Sequence, residues 1–425
     1  MKPIDAATPT DTATGEATST GETVETKPTE APAATVEAAE QPATTPTINA
    51  NQKKRKKQRP EAPAAAATTD QAEPVQITTE KVTEETTRTS SEEVVETRAQ
   101  SREKKDDSND LIKILGAAAG GVVVGALLNE AFNDGKTVVE NTGDRVIIER
   151  DGEYYVRKDE IEILRRPGSD VRTETFRDGS SRTIVDRADG VSVVTIRDAD
   201  GYVVRRVRIL PDGRRIVLFD DTGEVRDSRN SVDTRRDSWI EEDQLPRFDP
   251  TVLPQRRYVD YRNADRGGLH DVLMARPVAT IDRSYTLRQV RENLRLRDAM
   301  PRLDLDAVSF DLGSAAIAPD QVRKLDTLGW AMEDILKQYP DEVFLIEGHT
   351  DAVGSRISNL VLSDRRAETV ALALTEYYKI PPENLITQGY GEEFLKIETQ
   401  AAERANRRAT VRRITPLLEK TTQVQ

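Results

Sequence analysis

Cysteine does not occur in the 425-residue chain. Its absence removes disulfides, thiolate metal sites, thiol nucleophiles and an acylated N-terminal cysteine together, and suits either the cytoplasm or an oxidising envelope compartment. Aromatic residues make up 4% and hydrophobic residues 36%, against 32% charged, so much of the chain has too little apolar surface to build an interior. The formal net charge of -13 argues against nucleic-acid binding by the whole chain. The basic run "KKRKKQRP" from Lys53 is read as a solvated charge run or a wall- or lipid-facing patch, since no aromatic platform lies beside it.

Residues 1–109 are rich in Thr, Ala, Glu and Pro and are expected to form a disordered arm, because they cannot bury enough apolar surface to offset their ordering entropy. The opening "MKPIDAATPT" lacks the apolar core of a secretory signal peptide, which leaves the export route open. Within residues 110–130 lies "LIKILGAAAGGVVVGALL", residues 111–128, borderline for spanning a bilayer where about 20 apolar residues are needed. Gly116 and Gly120, like Gly121 and Gly125, are spaced to let helices approach closely in lipid. Lys104, Lys105 and Lys113 lie toward its amino end, so a spanning segment would keep that end cytoplasmic. The alternative is association with a membrane surface or another helix without crossing.

Residues 135–231 alternate with period two between turns such as Asp178-Gly179, Asp189-Gly190, Asp200-Gly201 and Asp212-Gly213. Asp-Gly between alternating strands predicts hairpins, hence a repetitive antiparallel β-region. Its Arg- and Asp-laced faces argue against a lipid-facing barrel. "DADG" at Asp198 lacks the downstream ligands of a calcium loop and reads as a turn. Residues 232–300 read as a connector, with "TLRQVRENLRLRDAM" a short helix capped by Thr286 and His270 a surface residue.

Residues 301–418 read as a compact α/β unit, which makes the whole chain α+β. "AVSFD" is expected to be a short strand, and a helical stripe of Val322, Leu325, Leu328, Met332, Ile335 and Leu336 follows. "EVFLIEG" reads as a strand buried on both faces, "HTDAVG" as a loop, and a second helix starts near Ser355. "NLITQGYGE" and the end of "AERANRRATVRRI" supply further strands. Asp351 falls on the loop after the buried strand, and Asn359, Ser363 and Arg366 share one face of the following helix. A carboxylate and a guanidinium held apart across a cleft match a ligand carrying both an ammonium and a carboxylate. The same pair could instead form a salt bridge with each other.

"VSFDLGSAAI", "IEGHTDAVG", "SNLVLSDRRAETV", "QGYGEE" and "ANRRATV" occur in this order and resemble the OmpA-like peptidoglycan-binding domain over roughly the last 115 residues. The resemblance implies a mixed sheet with packed helices. It also implies a pocket for the diaminopimelate of the wall's stem peptide, with Asp351 taking the ammonium and Arg366 the carboxylate. Asn359 and Asp311 would line that pocket, Thr350 would orient the loop, and Asn406 and Arg407 would brace the loops. His349 has no nucleophile pattern beside it, and no catalytic residue, cofactor or metal site is assigned, so no enzyme is expected.

The function implied is a structural tether between the wall and a bacterial membrane, the outer in preference to the inner, with the last domain facing the periplasm and a homo-oligomer left open. An envelope scaffold or sensor whose β-region binds another protein is the alternative. A flagellar-stator-like anchor is disfavoured, because residues 111–128 carry no carboxylate.

Overall fold

The computed structural model describes residues 64–69, 71–92, 137–142, 144–150, 152–222, 240, 242–248, 258–260, 264–311 and 313–418. The basic run at Lys53 and the apolar segment 111–128 lie outside the described residues. Among the described residues, no helix is long and apolar enough to cross a membrane.

Two antiparallel sheets are built from the hairpin region, one of them joined by a strand from the N-terminal stretch. Strands β1 (Gln76–Lys81), β5 (Asp170–Thr175), β6 (Ser181–Asp186), β7 (Ser192–Arg197), β8 (Val203–Ile209) and β9 (Arg215–Asp220) form a six-stranded sheet in that spatial order. Strands β2 (Thr137–Asn141), β3 (Arg145–Arg150) and β4 (Glu153–Lys158) form a separate three-stranded sheet. The turns behave as the Asp-Gly pairs demand. At the β5–β6 turn, Gly179 adopts φ +82°, its N–H donates to the Phe176 carbonyl, and Asp178 accepts from the Ser180 N–H. This is a type I turn followed by a left-handed glycine, a geometry matched to strand twist.

Strand β1 belongs to the stretch expected to be disordered, and here the reading is corrected for residues 76–81. These residues pair antiparallel with β5 along their whole length, from Gln76 opposite Thr175 to Lys81 opposite Asp170. Composition counts side-chain burial and misses this backbone pairing.

The C-terminal sheet has the order β10 (Tyr258–Asp260), β11 (Arg302–Asp304), β14 (Ala409–Arg413), β12 (Phe344–Gly348) and β13 (Leu385–Gly389). Strands β12 and β13 run parallel, and β14 runs antiparallel between β12 and β11. The first strand of this unit is therefore Arg302–Asp304 and not "AVSFD". Ser309 in that stretch bonds Gln321 through both its N–H and its hydroxyl. "TLRQVRENLRLRDAM" forms two helices, α2 (Leu287–Glu292) after α1 (Arg266–Met274), and α3 (Leu294–Asp298). Asn293 leaves helical geometry and caps the second one by accepting from the Leu296 N–H. Thr286 forms a capping box with Gln289, as its position predicted.

Helices α4 (Asp326–Gln338) and α5 (Arg356–Tyr378) pack on the sheet, with α5 started by the Ser355 hydroxyl accepting from the Ser358 N–H. Leu328, Met332 and Ile335 of α4, Phe344 and Ile346 of β12, and Val370 and Leu374 of α5 share one core. Burying each such aliphatic side chain contributes about 1.5–3 kcal/mol. Helix α5 lies unusually close to the strands. A Cβ at Gly348 would fall 1.9 Å from the Ser363 carbonyl oxygen, and one at Gly389 would fall 2.3 Å from the Asp364 nitrogen.

The opposite face of α5 is covered too. Ile147 of β3 and Val156 of β4 pack against Leu360 and Val361. Arg145 donates to Asp364 and Glu368 at 2.8 Å each, and Lys158 reaches Asp364 at 2.9 Å and Thr387 at 2.7 Å. Arg88 pairs with Glu368 and donates to Thr369, and the Ser90 N–H donates to Glu376 at 3.0 Å. A helix read from its sequence as having one core stripe thus has two buried faces, one apolar and one ionic.

Candidate functional site

Strand β12 ends at Gly348, and His349, Thr350 and Asp351 lead into bends at Ala352 and Gly354 before α5. The Thr350 N–H donates to the Gly391 carbonyl at 2.9 Å, tying this loop to the one after β13. The Ser363 hydroxyl accepts from the Gly391 N–H at 2.8 Å and donates to the Leu360 carbonyl at 2.8 Å. Gly391 meets this approach at φ +54°, a conformation that glycine adopts without penalty. Two loops and one helix turn are therefore fixed together around Asp351.

The Asp351 carboxylate is only 6% exposed and accepts from Arg407 at 2.6 Å. Asn359, one helix turn in, donates to the Asp351 carbonyl at 3.3 Å and to the Glu392 carboxylate at 2.6 Å. Arg366 is 1% exposed; its Nε donates to the Ser314 carbonyl at 2.9 Å and one Nη to the Asp311 carbonyl at 3.2 Å. Its guanidinium also lies 5.0 Å from the centre of the Phe310 ring.

The residues picked from the sequence thus fall into two groups. Thr350, Asp351 and Asn359 are brought together at the end of β12. Arg366 meets Asp311 through the latter's backbone carbonyl, while the Asp311 side chain lies at an exposed position. Asp351 and Arg366 are not bonded to each other; each has other partners. The Thr350 hydroxyl is buried without a hydrogen-bond partner among the described residues, so any orienting of the loop passes through its backbone.

Arg407 and Glu392 are the partners that sequence reasoning placed too vaguely. Arg407 stood out only as a brace, and Glu392 only within a glycine-rich turn; neither carries a periodicity that ties it to Asp351. Asn406 does brace. Its side chain accepts from the N–H groups of Lys396 and Ile397 and donates to the Ile397 carbonyl at 2.8 Å.

Behind the loop lies a buried charge cluster. Glu347 on β12 pairs with Arg297 at 3.0 Å and Arg412 at 3.1 Å and accepts from Thr410 at 2.6 Å. Burial opposes its ionisation, but Arg412 and Arg297 hold the carboxyl well below the ordinary range. His349 stacks on Tyr390 with ring centres 5.8 Å apart, and its Nε2 is 3.9 Å from Glu347, beyond hydrogen-bond reach. Burial first, then the nearby Arg408, pushes the imidazole down to about 3, so it is neutral throughout the physiological range. Neither ring nitrogen has a hydrogen-bond partner among the described residues, so the side chain works here by packing. Among the described residues, no group of three or more His, Cys, Asp or Glu side chains is placed to hold a metal ion.

Helices packed on a mixed sheet, with a carboxylate and arginines at the strand ends, define the class of this domain. Residues 309–409 match the OmpA family, and the C-terminal domain is an OmpA-like domain. Outer membrane porin F of Pseudomonas aeruginosa is 35% identical over 91 residues, which is 21% of this chain and 25% of that protein. A probable lipoprotein, YiaD, of Escherichia coli (strain K12) is 37% identical over 84 residues, 20% of this chain and 36% of that protein. The chain therefore spans well under two thirds of the length of these relatives. The solved peptidoglycan-associated lipoprotein from Burkholderia pseudomallei is 28% identical with a TM-score of 0.22, over 25% of this chain and 87% of that one.

Proposed function

We propose that the protein anchors a bacterial envelope membrane to the cell wall by non-covalent capture of peptidoglycan. Its ligand is the zwitterionic end of the stem peptide's diaminopimelate. The observation that carries this reading is the Asp351–Arg407 pair: a nearly buried carboxylate whose partner side chain is 27% exposed, at the mouth of an OmpA-like domain. A ligand ammonium can replace the Arg407 guanidinium on Asp351 without leaving a buried charge unmatched, which would otherwise cost several kcal/mol. The displaced Arg407, with Arg366 behind the Asp311–Ser314 turn, then faces the ligand's carboxylate. Asn359 fixes the Asp351 backbone, Thr350 the loop, and Asp311 the turn over Arg366.

The tether would lie at the outer membrane in preference to the inner, with this domain facing the periplasm and residues 111–128 meeting lipid; the similarity to an outer membrane porin supports that side. Each contact is weak, and several copies would gain by avidity. Co-sedimentation with purified sacculi tests the reading. Wild-type protein should pellet, free diaminopimelate should release it, and Asp351→Ala should stay in the supernatant; pelleting that ignores the competitor and the substitution would sink it.

A second reading, an envelope scaffold, draws on strand β1. It stands at the edge of its sheet with Ile77 half exposed, as is Val75 just before it. Edges of this kind accept a further strand from a partner. A pull-down with the full chain, with and without Ile77→Lys, separates this role from a mere spacer.

A further inference from the structure

The hairpin β3–β4 does more than cover α5: between it and the loop after β13 lies a cleft open to solvent. Tyr154, Tyr155, Tyr202, Tyr390 and Phe394 line it. That is five aromatic rings in one cleft of a chain whose aromatic content is 4%. The rings are stiffened by stacked guanidinium groups, with Arg157 and Arg288 lying 3.5 and 3.9 Å from the Tyr202 ring centre. One Nη of Arg157 is buried with no hydrogen-bond acceptor among the described residues.

The charges lining the cleft balance. Arg157, Arg288 and Arg291 stand against Glu153, Glu292 and Glu393. A polyanion would meet the three carboxylates and a cation the three guanidiniums, so neither class is favoured. Tyr202 and Tyr390 are buried beneath guanidinium groups, so the half-buried Tyr154, Tyr155 and Phe394 offer the ring faces. Edged by donors and acceptors of both signs, these rings suit an uncharged polyhydroxylated ligand, whose C–H faces lie on them and whose hydroxyls bond the rim. The cleft also adjoins the Asp351 site. Leu360, next to Asn359, and Glu393, next to Glu392, line the cleft, while Asn359 and Glu392 bond each other beside Asp351.

The geometry points to a second subsite, for the glycan strand of the same wall polymer, taking an N-acetylated hexosamine unit while the stem peptide occupies the Asp351 site. This deepens the wall-binding reading and rests on it for the choice of polymer. A few peptide residues at about 3.5 Å each bridge neighbouring subsites, and joining two weak contacts in one ligand raises affinity without new contacts at either.

The test uses the full chain and three soluble probes: free stem peptide, the N-acetylglucosamine–N-acetylmuramic acid disaccharide, and the disaccharide carrying the peptide. Calorimetry should find the joined ligand bound about fivefold or more tightly than the peptide alone. Arg157→Gln and Tyr154→Ala should reduce that ratio to about one while leaving the peptide's own affinity in place. Equal affinities in the wild type overturn the subsite. Saturation-transfer NMR on the wild type with the disaccharide alone needs no variant. Transfer to the N-acetyl and ring protons supports the cleft even if the peptide is ignored, which would instead sink the Asp351 site. No transfer to the disaccharide overturns the subsite.

Discussion

Arg407 Nη1 lies 2.6 Å from Asp351 Oδ2, so the carboxylate assigned to a ligand ammonium already holds a cation of its own chain. Arg407 is the more exposed partner, 27% against 8% for the Asp351 side chain, as exchange with a ligand cation requires. Asp351→Asn keeps the shape and removes the charge. It should weaken binding of a diaminopimelate-containing peptide about tenfold or more, or ~1.4 kcal/mol, with the fold intact. Calorimetry on the two proteins decides, and equal dissociation constants would remove Asp351 from the site.

Asp364 shows what holds the hairpin region to the C-terminal domain. Burial works against its ionisation, yet Lys158 and Arg145 hold the carboxyl at about 2. Because the folded value lies below the ordinary 3.8, this contribution is complete above 3.8 and is lost as pH falls toward 2. Asp364→Asn leaves two buried cations short of a partner and should cost about 3–5 kcal/mol in urea unfolding at neutral pH. A loss below about 1 kcal/mol would mean the seam behaves like a surface pair.

His349 gives stability a second pH dependence. Its folded value of about 3 lies below the ordinary 6.5, so between those limits the unfolded chain binds a proton that the folded chain refuses. Stability should therefore fall on acidification through that window, by up to ~1.4 kcal/mol per pH unit. His349→Gln should flatten the difference curve against wild type. A slope unchanged by the substitution assigns the effect to other groups.

Glu162 acts in the opposite direction. Burial, with Asp159 and Glu368 nearby, raises its carboxyl to about 7 from 4.5. The folded chain keeps a proton there that the unfolded chain has lost, so stability declines as pH rises from 4.5 to 7. Glu162→Gln should stabilise the protein at pH ~8 by about 1–2 kcal/mol, discounted because the side chain is partly solvated. Thermal melts at pH ~5 and ~8 check it; a variant less stable at the higher pH contradicts the assignment.

Gly348 marks the tightest helix–strand contact. With the Ser363 carbonyl 1.9 Å from its virtual Cβ, Gly348→Ala has to push α5 away from β12. A loss of about 3 kcal/mol or more is expected, together with weaker ligand binding, since Asp351 follows β12 directly. Chemical unfolding of the alanine variant reads the first effect.

Much of this architecture is legible in the residues because it is local. Asp-Gly turns set the hairpins, Thr286 and Ser355 cap their helices, and the apolar run Val343–Ile346 leading through β12 marks a strand buried on both sides. Apart from the local break at Asn293, the misses are long-range. "AVSFD" has strand composition but lies outside the sheet, because pairing with β14 is taken by Arg302–Asp304. Strand β1 looks featureless alone and exists through β5. The partners of Asp351 and Arg366 are set by loops that meet only in the fold, so the charged pair could be singled out while Arg407, Glu392 and the carbonyl bonds of Arg366 could not.

In the proposed tether, the ionic seam on α5 would set how load travels. A pull on a wall fragment held at Asp351 enters at the start of α5, and the side chains of Arg145, Lys158 and Arg88 run from that helix into the hairpin sheet and the segment after β1. Tension would thus be shared among several charged contacts strained together instead of opening one after another, and a domain joined only by its terminal peptide would have no such route.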